Sequence, residues 1–241
     1  DYANKISRTK RGSKSGIRPE HPEYRILEHI LTDEMAEVGL CLEFRNPLSA
    51  EEIAAKCGKP LEKTKKLLWE LALAGAAFVN EKEDGIDKYW HDIWVPGHME
   101  MIANSRENMK KYPEIGQAFS DYGIRRGPMG AGVFSVGTGP MRVIPIETAI
   151  EGETRRASYE EVSKYLNEHD RFSVSDCSCR ASREAMGEGC GHLKEDMCIQ
   201  LGHAAEYYIR TGRGREITRE EAFEIIHKAE ENGLMHQVPN L

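Results

Sequence analysis

The chain has 241 residues, enough for one large domain or two small ones, and its 39% hydrophobic, 30% charged and 7% aromatic content excludes the disordered and fibrous classes. No apolar run approaches the roughly 20 residues that a membrane-spanning helix needs, which excludes a transmembrane role. A formal charge of -7, from 33 basic and 40 acidic residues, works against broad affinity for nucleic acid or anionic membranes, although local patches can still be basic.

The chain begins at Asp1 without a signal-peptide pattern, which reads as a fragment or a processed start. Residues 1–19 carry six basic side chains (Lys5, Arg8, Lys10, Arg11, Lys14 and Arg18) among Ser and Gly without apolar periodicity, and are expected to form an exposed, flexible basic arm. Residues 20–100 form the next section. In it Tyr24, Leu27, Ile30, Leu31, Met35 and Val38 recur at helical spacing and predict one or two amphipathic helices over residues 24–44. Ser49 is positioned to cap a helix whose first turn holds Glu51 and Glu52 and which Gly58 and Pro60 end. A second helix from Leu61 turns Leu67, Leu68 and Leu71 toward a core and stops at Gly75. The segment after it predicts a hairpin around Glu83, Asp84 and Gly85.

This order of helices and hairpin is that of a winged helix-turn-helix. Such a domain commonly reads DNA, and Lys59, Lys63, Lys65 and Lys66 give the second helix a basic face. Between Glu20 and Glu100, however, nine basic residues face seventeen acidic ones, a net of -8, and the wing tip is acidic. Phosphates would be repelled, so the domain is expected to dock protein rather than DNA.

Residues 101–145 read as a connector, helical at first with Met101 and Met109 as core filler, then punctuated by Gly and Pro from Gly127 to Pro140. Neither GxGxxG nor GxxxxGK[ST] occurs there, so turns describe it better than a phosphate loop. Residues 146–241 form the Cys-rich section. A helix over residues 159–170 leads into the strand-like run 172–176 and then into the cysteines. Further helices are expected up to Gly212 and from the capping sequence Thr218–Glu221 to Gly233. The fold class expected is mainly α with small β elements (α+β): a winged-helix-like domain followed by a helical cluster domain.

Six cysteines are too few for a disulfide-dense secreted scaffold, and the chain is expected to be cytoplasmic. Cys41 and Cys57 stand alone and read as small buried hydrophobes. Cys177, Cys179, Cys190 and Cys198 are spaced Cys-x-Cys, ten residues, Cys, seven residues, Cys. Four thiolates suit either tetrahedral zinc or one [4Fe-4S] cluster. Structural zinc usually takes two Cys-x2-Cys knuckles, and a lone Cys-x-Cys with two distant partners suits the larger cubane better. Gly187, Gly189 and Gly191 bracket Cys190 and would let backbone amides approach cluster sulfurs, while Arg180 and Arg183 would offset the charge of the thiolates. His192 and His203 read as outer or surface residues, and no cysteine is paired in sequence with a base that would make it a nucleophile.

The segments MRVIPIE, SYEEVSKYL, DCSCR, GCG, MC, GHAAEYYI and TGRGREITREEAFEIIHKAEENGLMHQ follow one another through residues 141–241. In order and spacing they resemble the winged-helix-bearing 4Fe-4S ferredoxin-type proteins of anaerobic bacteria and archaea, and the first half of the chain is similar too. The resemblance implies an iron-sulfur electron-transfer module that works with a ferredoxin or a flavin- and NAD(P)H-dependent oxidoreductase and is not an enzyme by itself. In that family a second Cys-rich segment and a ferredoxin module commonly follow; this chain ends at Leu241 before them, which reads either as the N-terminal part of a longer protein or as a carrier module located elsewhere. A cluster-sensing winged-helix regulator and a zinc-stapled interaction module are the alternatives.

Overall fold

The computed structural model describes residues 1–7, 16–82, 84–131, 141–144 and 161–239. It is a mixed α+β structure with small antiparallel sheets. The chain divides into two compact units, residues 1–124 with 181–188, and residues 125–180 with 189–241.

In the first unit, helix α1 (Tyr2–Ile6) is followed by α2 (Pro22–Leu27) and α3 (Asp33–Gly39). The expected exposed arm therefore does not hold at its start. Tyr2 and Ile6 are buried, and the Tyr2 hydroxyl donates to the Ala76 carbonyl at 2.6 Å. A Cβ on Gly39 would lie 2.5 Å from the Tyr2 ring, so the absent side chain is what admits that ring. Residues 8–15 lie outside the described residues. The run over 24–44 resolves into two helices because Thr32 starts a new one, its side chain accepting the Met35 N–H at 3.2 Å.

Strand β1 (Leu48–Ser49) leads into α4 (Ala50–Cys57), and here the expected cap is present on both sides. The Ser49 hydroxyl accepts the Glu52 N–H at 3.3 Å and the Glu52 carboxylate accepts the Ser49 N–H at 2.7 Å. Gly58, at φ 64°, ends the helix in the left-handed region. Helix α5 (Leu61–Ala74) buries Leu67, Leu68 and Leu71 as expected. It ends at Gly75, φ 88°, where a Cβ would also meet the Ile102 backbone N at 2.9 Å. Strands β2 (Phe78–Glu81) and β3 (Asp87–Trp90) form the expected hairpin, with Phe78 opposite Trp90 and their rings stacked 5.3 Å apart. The sheet order is β1-β3-β2, antiparallel throughout.

A π-helical turn (Trp94–His98) and helices α6 (Met99–Ala103), α7 (Arg106–Lys111) and α8 (Glu114–Ala131) follow. Met99, Met101, Ile102, Ile115 and Ala118 are all buried, so the first part of the expected connector contributes to the core of the first unit. The backbone of α8 stays helical through Gly127–Ala131, where turns were expected; residues 132–140 lie outside the described residues.

Glu100 gives this unit a pH dependence. Its carboxyl end is enclosed and accepts the Gly97 N–H at 2.7 Å, and burial outweighs that bond and pushes its pKa up to about 7. A carboxyl whose folded pKa exceeds its unfolded one binds its proton more tightly when folded. Stability is therefore expected to fall as pH rises from about 4.5 to 7, by at most about 3 kcal/mol, and to level off above that range. Urea unfolding at pH 5 and pH 8 checks this: Glu100→Gln should show a smaller loss between the two, and an equal loss in both proteins would refute it.

The second unit departs from the helical domain expected. Strand β4 (Met141–Ile144) pairs with β8 (His236–Pro239), and β5 (Phe172–Ser175) is the centre of an antiparallel sheet ordered β6-β5-β7, with β6 at Cys198–Leu201 and β7 at Arg215–Ile217. Helices α9 (Val162–Asn167), α11 (His203–Arg210) and α12 (Arg219–Glu231) complete it, and α10 (Ser178–Ala185) starts in it at Ser178–Arg180, its later residues being assigned to the first unit. Thr218 caps α12 as expected, accepting the Glu221 N–H at 3.1 Å. Ile144, Val162, Leu166, Phe172, Val174, Ile217 and Ile225 share one core. Residues 145–160, where the Cys-rich section was expected to begin, lie outside the described residues.

Candidate metal centre

The cysteines hang on the central strand. All four residues of β5 are buried, and the chain passes from Ser175 through Asp176 to Cys177 and the first turn of α10, which holds Cys179 and Arg180. The β5–β6 register sets Cys198 opposite Ser175, two residues before Cys177. A buried polar network holds that register. The Ser173 hydroxyl donates to Gln200 Oε1 at 2.8 Å, and Gln200 Nε2 donates to Ser175 Oγ and to the Cys198 carbonyl, both at 2.9 Å. Slipping the pairing would strand these groups unpaired in the interior.

Cys177 has a perturbed thiol. Its pKa is pulled down to about 5, first by a hydrogen bond from the Cys179 thiol and then by the Arg180 backbone amide and the Arg180 charge, against partial burial that pushes the other way. Arg180 Nη1 donates to Cys177 Sγ at 3.3 Å. The lowered pKa favours the thiolate, the form that binds metals. A cavity of about 190 Å³, lined by Leu166, Ile225, Leu234 and Val238, carries Arg180 and Cys198 in its wall.

The loop from α10 to β6 is tied down at several points. The Cys177 N–H donates to the Lys194 carbonyl at 2.8 Å, and the Leu193 N–H donates to Asn232 Oδ1 at 2.9 Å. His192 Nδ1 lies 2.9 Å from the Asn232 carbonyl. Asp196 adopts a left-handed φ of 54°, unusual outside glycine, and the Arg215 guanidinium clamps its carboxylate at 2.9 and 3.1 Å. Sequence reading missed these anchors. An acidic residue two positions before a cysteine was their only local trace.

Not every expected participant converges. Cys177, Cys179 and Arg180 meet, and Cys198 sits on the adjoining strand, but Cys190 and Gly189 are exposed on the loop. Gly191 and Gly187 flank Cys190 at φ 78° and 74°, each with open space where a Cβ would be. Arg183 turns to Glu188 at 2.5 Å. His192 and His203 are exposed, as surface residues would be. Among the described residues no three or more His, Cys, Asp or Glu side chains come together closely enough to hold a metal ion. Four cysteines offer the donor atoms that a thiolate-ligated metal or cluster takes, but of these Cys177 and Cys179 are neighbours and the four are not gathered into one cluster. Compared with known proteins, the chain matches no family model, no curated protein and no solved structure.

Proposed function

We propose that the chain is an electron-transfer module in which Cys177, Cys179, Cys190 and Cys198 hold a [4Fe-4S] cluster, passing single electrons between a ferredoxin or a flavin- and NAD(P)H-dependent partner and a reductase. The observation that supports this reading is the Cys177 thiol, whose pKa is lowered beside Cys179 and whose sulfur accepts a hydrogen bond from Arg180. When bound, the cluster supplies a one-electron couple. Arg180 offsets thiolate charge, and the Ser173–Gln200–Ser175 network keeps Cys198 beside the strand that delivers Cys177. Cys190 is exposed, and a Cβ at Gly187 or Gly191 would meet nothing within 4 Å, which leaves room around it for a cluster.

The first unit is read as a winged helix that docks protein. Its order α3, β1, α4, α5, β2, β3 and its β1-β3-β2 sheet support that fold. The four lysines of the basic face are engaged by acidic neighbours: Lys59 with Glu37 at 2.6 Å, Lys63 with Glu34, Lys65 with Glu62 at 3.3 Å, and Lys66 with Glu70 at 3.8 Å. That neutralisation favours protein docking over the regulator alternative. Among the described residues no helix is long and apolar enough to cross a membrane.

Iron, acid-labile sulfide and zinc, measured on anaerobically purified protein with an electron paramagnetic resonance spectrum after dithionite reduction, test the proposal. About four irons and four sulfides per chain with a reducible signal are expected. About one zinc without sulfide would replace the reading with a zinc-stapled interaction module.

A further inference from the structure

The cavity of the second unit lies between α9, β6, α12 and β8. Its wall is largely apolar, with Val162, Leu166, Ile199, Ile225 and Val238 drawn from all four elements. Arg180 and His236 stand among them. Among the described residues the one side-chain hydrogen bond of Arg180 runs from Nη1 to Cys177 Sγ at 3.3 Å. That leaves the Nε–Nη2 edge of the guanidinium, a fork that a carboxylate can take with two parallel bonds. His236 is only 8% exposed; its Nε2 lies 2.8 Å from Glu230 Oε1, and its Nδ1 has no partner among the described residues. Polar atoms of a side chain this buried are normally hydrogen-bonded, so Nδ1 is open to the polar end of a ligand.

Size and charge narrow the occupant. An apolar cavity of about 150 Å³ admits benzene, and this one, at about 190 Å³, has room for one ring with a short arm. Its charge is one-sided: Arg180 lines it and, among the described residues, no Asp or Glu does, in a chain with 40 acidic residues. An apolar wall with a few polar groups is the usual make-up of a small-molecule site. We propose that the cavity binds a small hydrophobic carboxylate of about the size of phenylacetate, its body against Leu166, Ile225 and Leu234 and its carboxylate on Arg180. His236, held by Glu230, gives the polar end a second partner, donating from Nδ1 as an imidazolium. Neither Cys190 nor a bound metal enters the proposal, so it stands apart from electron transfer.

A fluorine NMR titration of the full chain, purified anaerobically, compares para-fluorophenylacetate with the uncharged para-fluorophenethyl alcohol. The acid is expected to bind about 10-fold more tightly, the usual gain from a hydrogen bond to a charged group. Arg180→Gln should lower the affinity for the acid to that for the alcohol and leave the alcohol unchanged, a pattern that a lost cluster or a loosened fold would not give. Ala229→Phe, which fills the cavity, should abolish binding of both. Hydrogen exchange read by mass spectrometry locates the ligand without a variant: the acid should slow exchange in α12 and β8 and leave residues 1–124 unchanged. No binding of the acid at millimolar concentration, equal affinity for acid and alcohol in the wild-type chain, or slowed exchange confined to the first unit would each overturn the proposal.

Discussion

Cys179→Ser is expected to strip the chain of most of its iron and sulfide while leaving the first unit folded. The substitution removes one sulfur donor, and the serine hydroxyl that replaces it is a poor ligand for a soft metal or cluster. Changes in the outer shell of a metal site weaken binding by about 10–100-fold, and losing a ligand outright should exceed that. Cys198→Ser should act likewise, and Cys57→Ser should leave iron content unchanged. Trp69, Trp90 and Trp94 are the three tryptophans of the chain and all belong to the first unit, so fluorescence reads that unit alone. Full iron and sulfide in both Cys179→Ser and Cys198→Ser would show that the ligands have been misassigned.

Gly214→Ala is expected to destabilise the second unit by about 1–3 kcal/mol, the usual cost of forcing an extra group into a packed interior. A Cβ at position 214 would stand 2.7 Å from the carbonyl oxygen of Val174 and 3.3 Å from its carbonyl carbon. Backbone of a central strand cannot step aside as the end of a flexible side chain can. Val174 is fully buried and paired with Ile199 on one side and Arg215 on the other, so a shift propagates into both edge strands. Urea unfolding followed by far-ultraviolet circular dichroism, with tryptophan fluorescence as the first-unit control, measures the effect. A midpoint equal to wild type would mean that this approach is not as rigid as the packing indicates.

What the sequence determined was mostly local. The caps at Ser49 and Thr218, the glycine stops at Gly58 and Gly75 and the leucine face of α5 are each decided within a few residues of chain, and each appears where the pattern places it. The β2–β3 hairpin and strand β5 were legible for the same reason. For the candidate site, the spacing of four cysteines and the nearness of Arg180 to Cys177 were visible in the same way, since Arg180 lies three residues from Cys177 along the chain.

Tertiary structure alone decided the rest. Strands β6 and β7 are four and three residues long, too short to show an alternation, and they exist because β5 pairs with them from 26 and 43 positions away at their first residues, counting from Phe172. That pairing, sealed by Gln200 between two serines, is what sets Cys198 beside the approach to Cys177. The helix at Tyr2 depends on a distant carbonyl at Ala76, and Lys59 and Lys63 are paired because glutamates of α3 reach them. Spacing along a chain shows which groups are available, but only long-range packing shows which of them meet, because contact between distant residues depends on the whole fold that brings them together.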